Sequence, residues 1–286
     1  MSEPILVTGA TGTVGREVVK GLLGRGICVR VAARSKRAFE ELGPVDCRVF
    51  DFHCAQSARN IWEGIRRVFL LTPLEESMAE VASQLIEHAK AAGVQHVVRL
   101  SAMGADGSQD TELGRVHRAV EQAIEAAGLS FTFLRPNAFM QNYLTAFGAS
   151  IRAEGLFALP QGAGRVSLVD ARDVAAVAVA ALTEAGHQAK AYDLTGPEAL
   201  SNWQVAQLLS EATQRPIRYR DVSESKARNA LLGQGVSPWL VRVFLELYAV
   251  SRAGDAARVS PAVREVLDRP PIGFRQFAGD YAEHFC

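Results

Sequence analysis

The chain has 286 residues, 48% of them hydrophobic, with 31 Lys+Arg balanced by 31 Asp+Glu. That length suits one large core with an appended lobe. Zero net charge leaves no overall positive field to gather nucleic acid or an anionic membrane, which excludes the polyanion-binding classes.

Apolar runs and helical periodicities alternate along the chain. Ile5–Thr8 reads as a first strand, and Val14–Leu23 as a helix in which Val14, Val18 and Leu22 recur at i, i+4 and i+8. Cys28–Ala33, Cys47–Phe50 and Val68–Leu71 read as the next strands. A helix over Glu76–Ala91 places Met78, Val81, Ala82, Leu85, Ile86 and Ala89 on one stripe, and Ala91-Ala92-Gly93 reads as its C-cap. Val97–Leu100 is a strand, Glu112–Ala127 a helix and Phe131–Leu134 a strand. Strands that are apolar throughout, separated by helices, imply a parallel sheet covered on both faces and doubly wound through right-handed crossovers. Ligands of such sheets sit beyond the carboxyl ends of the strands. The ends Thr8-Gly9, Arg34-Ser35, Asp51-Phe52, Thr72-Pro73, Ser101-Ala102 and Arg135-Pro136-Asn137 are therefore expected to line one crevice.

The pattern loosens after Pro136. Asn137–Tyr143 is polar and aromatic, and Glu154-Gly155 reads as a turn. Val166–Val169 reads as a strand, and Asp170–Leu182 as an apolar helix begun by an Asp cap. Ala191–Leu194 is a strand, Ser201 caps a helix over Trp203–Ala212, and Glu224–Phe285 is mostly helical. Trp239, Leu240, Val243, Phe244, Leu247 and Tyr248 form a stripe that reads as mainly structural. The expected organisation is a nucleotide-binding domain over residues 1–136 plus about 164–183. A smaller, mostly helical substrate-binding lobe takes 137–163 plus about 184–286. Cys28, Cys47, Cys54 and Cys286 show no C-x-x-C spacing, so neither a disulfide framework nor a zinc site is expected; Cys28 and Cys47 read as buried thiols. No H-E-x-x-H occurs, and no metal is expected. The start lacks a basic region before an apolar stretch, and no run reaches the roughly 18 apolar residues of a membrane span. A cytoplasmic location is expected, with no membrane partner.

Gly9-Ala10-Thr11-Gly12-Thr13-Val14-Gly15 joins the first strand to the first helix. Such a turn brings a diphosphate against backbone N–H groups at the positive end of a helix. Gly9 permits the turn, Gly12 has no Cβ to hold the phosphates off, and Gly15 lets the helix pack closely. Thr8, Gly9, Thr11, Gly12, Thr13, Val14 and Gly15 are the expected cofactor loop. The second strand ends in Arg34-Ser35-Lys36-Arg37, with no acid to hold two ribose hydroxyls. A guanidinium fork, a hydroxyl and a point charge suit a 2′-phosphate instead. NADP(H) is thus the preferred cofactor, with NAD(H) the alternative. Asp51 and Phe52 are placed at adenine, and Thr72 and Pro73 at a cofactor ribose.

These residues, with Leu71-Thr72-Pro73, His117–Ile124 and Thr132-Phe133-Leu134-Arg135-Pro136-Asn137, resemble atypical short-chain dehydrogenases, more closely the NmrA-like branch. The resemblance covers about residues 3–200. It implies an α/β, Rossmann-type fold and the activities of a branch that includes quinone, triphenylmethane-dye and festuclavine-type reductases. It also exposes a departure. Ser101 matches the serine of the usual Ser and Tyr-x-x-x-Lys set, but the lysine position falls on His117 and the tyrosine position on Leu113.

Without that tyrosine, reduction of an ordinary ketone lacks its proton donor. A quinone, enone, iminium ion or cationic dye delocalises or cancels the charge that hydride brings, so positioning carries most of the catalysis. The expected function is direct hydride transfer from NADPH to a conjugated or cationic small molecule, in a monomer or homodimer; natural-product tailoring rests on resemblance alone. His117 is the candidate auxiliary acid, since imidazole titrates near neutrality. Ser101 is the candidate partner of a substrate oxygen, and Arg99 reads as a structural ion pair or surface charge. Asn137, Phe139, Met140 and Tyr143 are the expected substrate-binding residues, with at least two of the four taken by core packing. The alternative is a non-catalytic NADP(H)-sensing regulator. A nucleotide-sugar epimerase or dehydratase is disfavoured by the missing tyrosine.

Overall fold

A computed structural model describes residues 3–35, 45–54 and 60–286, and the following statements concern those residues. The strands are β1 (Ile5–Val7), β2 (Val29–Ala33), β3 (Asp46–Val49), β4 (Arg67–Leu70), β5 (His96–Leu100), β6 (Ser130–Pro136), β7 (Leu156–Leu159), β8 (Arg165–Val166), β9 (Lys190–Leu194), β10 (Leu200–Ser201) and β11 (Arg218–Asp221). The helices are α1 (Thr13–Gly24), α2 (Met78–Ala91), α3 (Glu112–Ala126), α4 (Asn142–Thr145), α5 (Gly148–Glu154), α6 (Ala171–Thr183), α7 (Asn202–Thr213), α8 (Glu224–Gly233), α9 (Pro238–Ala253), α10 (Ala262–Leu267) and α11 (Phe274–Asp280).

Seven strands form one sheet in the order β3-β2-β1-β4-β5-β6-β9. The pairings from β3 through β6 are parallel, with Val7 beside Val31 and Phe69, and Leu70 beside Arg99. The order reverses after β1, as in doubly wound sheets. β1 and β2 are buried along their whole length, whereas the edge strand β3 is partly exposed. That difference is what coverage on both faces requires. On one face, Met78, Val81 and Leu85 of α2 and Val120 and Ile124 of α3 pack with Leu6, Val68 and Val97. Elsewhere α1 meets α6 so closely that a Cβ on Gly21 would lie 2.9 Å from Val179 Cγ2.

The chain divides into two compact units. The first holds Met1–Gly107, Gly114–Arg135 and Val174–Tyr192; the second holds Ser108–Leu113, Pro136–Asp173 and Asp193–Cys286. The second unit is not purely helical: β7 pairs in parallel with β11, and β8 pairs antiparallel with β10. Its core gathers Met140, Tyr143, Phe157, Leu209, Phe274 and Phe277.

The local capping signals have visible causes. Asp170 Oδ1 accepts the Arg172 N–H at 2.8 Å at the start of α6. Ser201 and Gln204 form a reciprocal capping box on α7. Gly93, with φ of +79°, closes α2. Two expectations need correction. Cys28 precedes β2 and is exposed, and Cys47, on the edge strand, is half-buried, so neither is a core thiol. Val166–Val169 is strand only at its first residue: β8 covers Arg165–Val166, and Val166 pairs with Leu200 of β10. No helix among the described residues is long and apolar enough to cross a membrane.

Candidate active site

The turn after β1 shows why its three glycines differ. Gly9 has φ of +60°, and a Cβ there would meet Leu71 Cδ2 at 2.5 Å. At Gly15 a Cβ would press on Gly9 C at 2.8 Å and Ala10 Cα at 2.9 Å. Gly12 is different: its only near neighbour would be Gly9 O at 3.3 Å. Among the described residues no other atom would lie within 4 Å of that Cβ, and the one contact is tight without being a collision. Gly12 is the N-cap of α1, has extended backbone angles and supplies no side-chain cap; no acidic residue lies in the first turn. The first N–H groups of a helix have no partners within it, and Thr11, Gly12 and Thr13 are exposed beside them, while Val14 is buried. A Cβ at Gly12 would therefore stand in an exposed turn at the positive end of α1, where an anion would approach the backbone. Thr8 has another role. Its buried hydroxyl donates to Leu71 O and accepts the Leu71 N–H, each at 2.8 Å, and clasps β1 to the chain leaving β4.

Parallel pairing of β2, β1, β4 and β5 brings Arg34, the glycine loop, Thr72 and Ser101 to one edge of the sheet. Arg34 and Ser35 are exposed there. Lys36 lies outside the described residues. Asp51 is exposed and accepts the His53 N–H at 3.0 Å in a local turn. Phe52 packs edge-on against Phe50, with ring centroids 4.8 Å apart. Pro73 is half-buried.

Beneath the ends of β4 and β5 lies a polar cluster of which sequence reasoning singled out Ser101 and His117 but missed the burial of Arg99 and the part of Glu121. Arg99 is neither a surface charge nor an ion pair: it is 1% exposed. Its guanidinium donates to Leu70 O at 3.1 Å and Thr72 Oγ1 at 3.0 Å, with Met78 Sδ at 3.7 Å. Arg30, also buried in a strand, has a carboxylate partner, Asp46, at 2.6 Å. Arg99 has only neutral acceptors, and burial pulls its guanidinium down to about 10. Ser101 donates its hydroxyl to Glu121 Oε1 at 2.7 Å. Glu121, fully buried on α3, is clamped by Arg135 through Nε at 2.9 Å and Nη2 at 2.7 Å, and by Arg118 at 3.2 Å.

His117 lies one helical turn before Glu121, on the same face of α3. It is buried, and its Nδ1 has no hydrogen-bond partner; neither has Arg99 Nε. Burial, then the Arg99 charge, holds the imidazole well below its ordinary range. His117 is therefore neutral at physiological pH and is not an acid poised near neutrality. The signal for this cluster was present in the sequence: Arg99 interrupts an apolar strand, and His117 and Glu121 share the buried stripe of α3 with Val120 and Ile124. Polar residues at core positions are where function departs from pattern.

The four residues expected at the substrate belong to the second unit. Asn137 donates through Nδ2 to Ser167 Oγ and Ala256 O, both at 2.9 Å, and accepts the Ala138 N–H at 2.9 Å, so its side chain is engaged in tying segments together. Met140 is buried in the core. Tyr143 is also buried; its hydroxyl donates to Asn202 Oδ1 at 2.6 Å, its ring packs edge-on against Phe157 and Phe274, and burial raises its phenol. These two are packing residues. Phe139 is half-buried and bridges to Val169.

Comparison with known proteins agrees with this architecture. The family model described as the NmrA-like family matches residues 1–263. The chain is 38% identical over 283 residues to an NAD(P)H azoreductase of Xenophilus azovorans, covering 98% of this chain and 99% of that protein. It is also 38% identical over 286 residues to a (4-alkanoyl-5-oxo-2,5-dihydrofuran-3-yl)methyl phosphate reductase of Streptomyces griseus, covering 99% of each. The NADPH complex of the Escherichia coli quinone oxidoreductase QOR2 shares the fold, with a TM-score of 0.85 and 24% identity over 96% of this chain and 99% of that one. With the glycine turn, the doubly wound sheet and a match over most of its length, this chain belongs to the NmrA-like family.

Proposed function

We propose that the chain is an NADPH-dependent reductase that delivers hydride directly to a conjugated or cationic acceptor. The observation that carries this reading is the pairing of an exposed turn at Gly12, where an added Cβ would meet a single described atom, with an exposed guanidinium at the end of β2. When bound, the cofactor supplies the hydride. The chain supplies the rest. The backbone N–H groups at the start of α1 would hold the diphosphate, and Arg34 with Ser35 would hold the 2′-phosphate. Asp51 and Phe52 would meet adenine, and Thr72 and Pro73 a cofactor ribose.

The two 38%-identical relatives are named for reducing an azo compound and an alkanoyl-substituted dihydrofuranone. Both are electron-poor π systems, which supports the acceptor class. None of the five tyrosines is followed four residues later by lysine. His117 is neutral and the Ser101 proton is on a bond to Glu121, so neither is poised to protonate an alkoxide. That favours acceptors for which positioning suffices. Asn137 and Phe139 are the remaining candidates for shaping the acceptor site.

The same lack of a poised proton donor favours, as a second reading, a protein that binds NADP(H) without turnover. Following NADPH absorbance across a panel of quinones, azo dyes, enones and iminium salts separates the two. Oxidation with any class supports the reductase, and tight NADPH binding with no oxidation across the panel supports the sensor.

A further inference from the structure

Leu70 pairs with Arg99 in the parallel register of β4 and β5, and Thr72 and Ser101 each lie two residues beyond that pair, just past the ends of the two strands. A hydroxyl has one proton and two lone pairs. Arg99 Nη2 donates into Thr72 Oγ1 at 3.0 Å, which leaves the Thr72 proton for another partner. Ser101 gives its proton to Glu121 Oε1 at 2.7 Å, which leaves Ser101 its lone pairs. Neither charged group is free to turn. Arg99 is sealed and also bound to Leu70 O, and Arg135 grips both oxygens of Glu121. Burying a cation among neutral acceptors is unfavourable, and the nearby Glu121 charge offsets part of that cost.

We propose that Arg99 and the Glu121–Arg135 pair are positioning residues that fix Thr72 as a donor and Ser101 as an acceptor, so that together they receive a ligand group offering an acceptor beside a donor, as a carboxamide does. An amide has one edge of each kind. The inference rests on the reductase reading above. Cofactor and acceptor can both carry such a group, and the test separates them.

Two matched pairs are titrated against the full chain. One is NADPH and its 3-acetylpyridine analogue, in which methyl replaces the carboxamide amine. The other is a carboxamide-substituted azobenzene and its methyl-ketone counterpart. The wild type is expected to prefer the amide in one pair by about tenfold. Ser101→Ala removes that preference, and so does Glu121→Gln, whose amide donates to Ser101 and releases its proton. Thr72→Val weakens both members of the pair alike, and Thr72→Ser restores them. A merely structural role would not move a ratio between two ligands, and Ser101→Ala carries the test if Glu121→Gln does not fold. The pair that responds identifies the source of the group. If the wild type binds NADPH but discriminates neither pair, or if Ser101→Ala keeps the full ratio, the inference is overturned and the reductase reading stands. If NADPH does not bind, both fall.

Discussion

Gly12 and Gly15 stand three residues apart and constrain the chain for opposite reasons. A Cβ at Gly15 would collide with the backbone of Gly9 and Ala10, so Gly15→Ala is expected to destabilise the fold by about 1–3 kcal/mol in urea unfolding. Gly12→Ala meets only one oxygen, at 3.3 Å, and should cost about 1 kcal/mol or less. Arg34 is exposed with no carboxylate bonded to it among the described residues, so Arg34→Asp should lower the NADPH-over-NADH ratio of kcat/KM by at least about tenfold, the worth of a charge-assisted bond. His117 is held neutral by burial and the Arg99 charge. Its protonation therefore falls well below pH 6.5, and kcat should show no titration limb between about pH 6 and 8. A limb near 6.5 that His117→Gln abolishes would restore His117 as the acid. At this scale the glycine turn between β1 and α1 and the position of Arg34 after β2 were legible, because backbone conformation and strand-end position follow from spacing. The buried charges left a trace there, but their burial and partners could not be read from it. An arginine in a strand reads as an edge or surface residue until neighbouring strands and α3 are seen to cover it.

The sheet was legible as elements because its strands are apolar on both faces and its helices carry clear stripes. α2 and α3 fall within two residues of their expected ends. β7 and β11 were missed: Arg218–Asp221 alternates charged residues with a single buried Tyr219, a pattern a turn also satisfies. At the start of β5, His96 bonds through Nδ1 to Ser130 Oγ at 2.9 Å and through Nε2 to Thr132 Oγ1 at 3.1 Å. Thr132 donates onward to His187 O at 2.7 Å, so Nε2 of His96 is the donor in that bond. Burial, then the Arg67 charge, lowers the imidazole to about 4. An unfolded histidine protonates near 6.5, so between the two values the unfolded chain binds more protons and stability rises with pH. The fold should lose on the order of 2 kcal/mol as pH falls from about 6.5 toward 4, with His117 adding to the slope. Urea midpoints across that range should fall more steeply for the wild type than for His96→Gln; equal slopes would remove His96 as a cause.

Across the whole molecule, balanced charge and a family match over most of the chain fit a protein that acts on a small ligand rather than a polyanion. The division into units was the least legible feature. Ser108–Leu113 belongs to the second unit although sequence on both sides belongs to the first, and no composition shift marks such a crossing. A ligand that binds only the folded chain stabilises it by mass action, about 2.7 kcal/mol at a hundred times its Kd. NADPH should therefore raise Tm more than NADH at equal concentration; an equal rise would contradict the part given to Arg34. The central claim is that Gly12 is glycine for the sake of a dinucleotide's diphosphate. Calorimetric titration of NADPH into the wild type and Gly12→Ala, with thermal melts of both, tests it most directly. The account predicts binding to the wild type, near-equal melting of the two proteins, and affinity for the variant at least about tenfold weaker. Equal affinity, or no heat with the wild type, would contradict it.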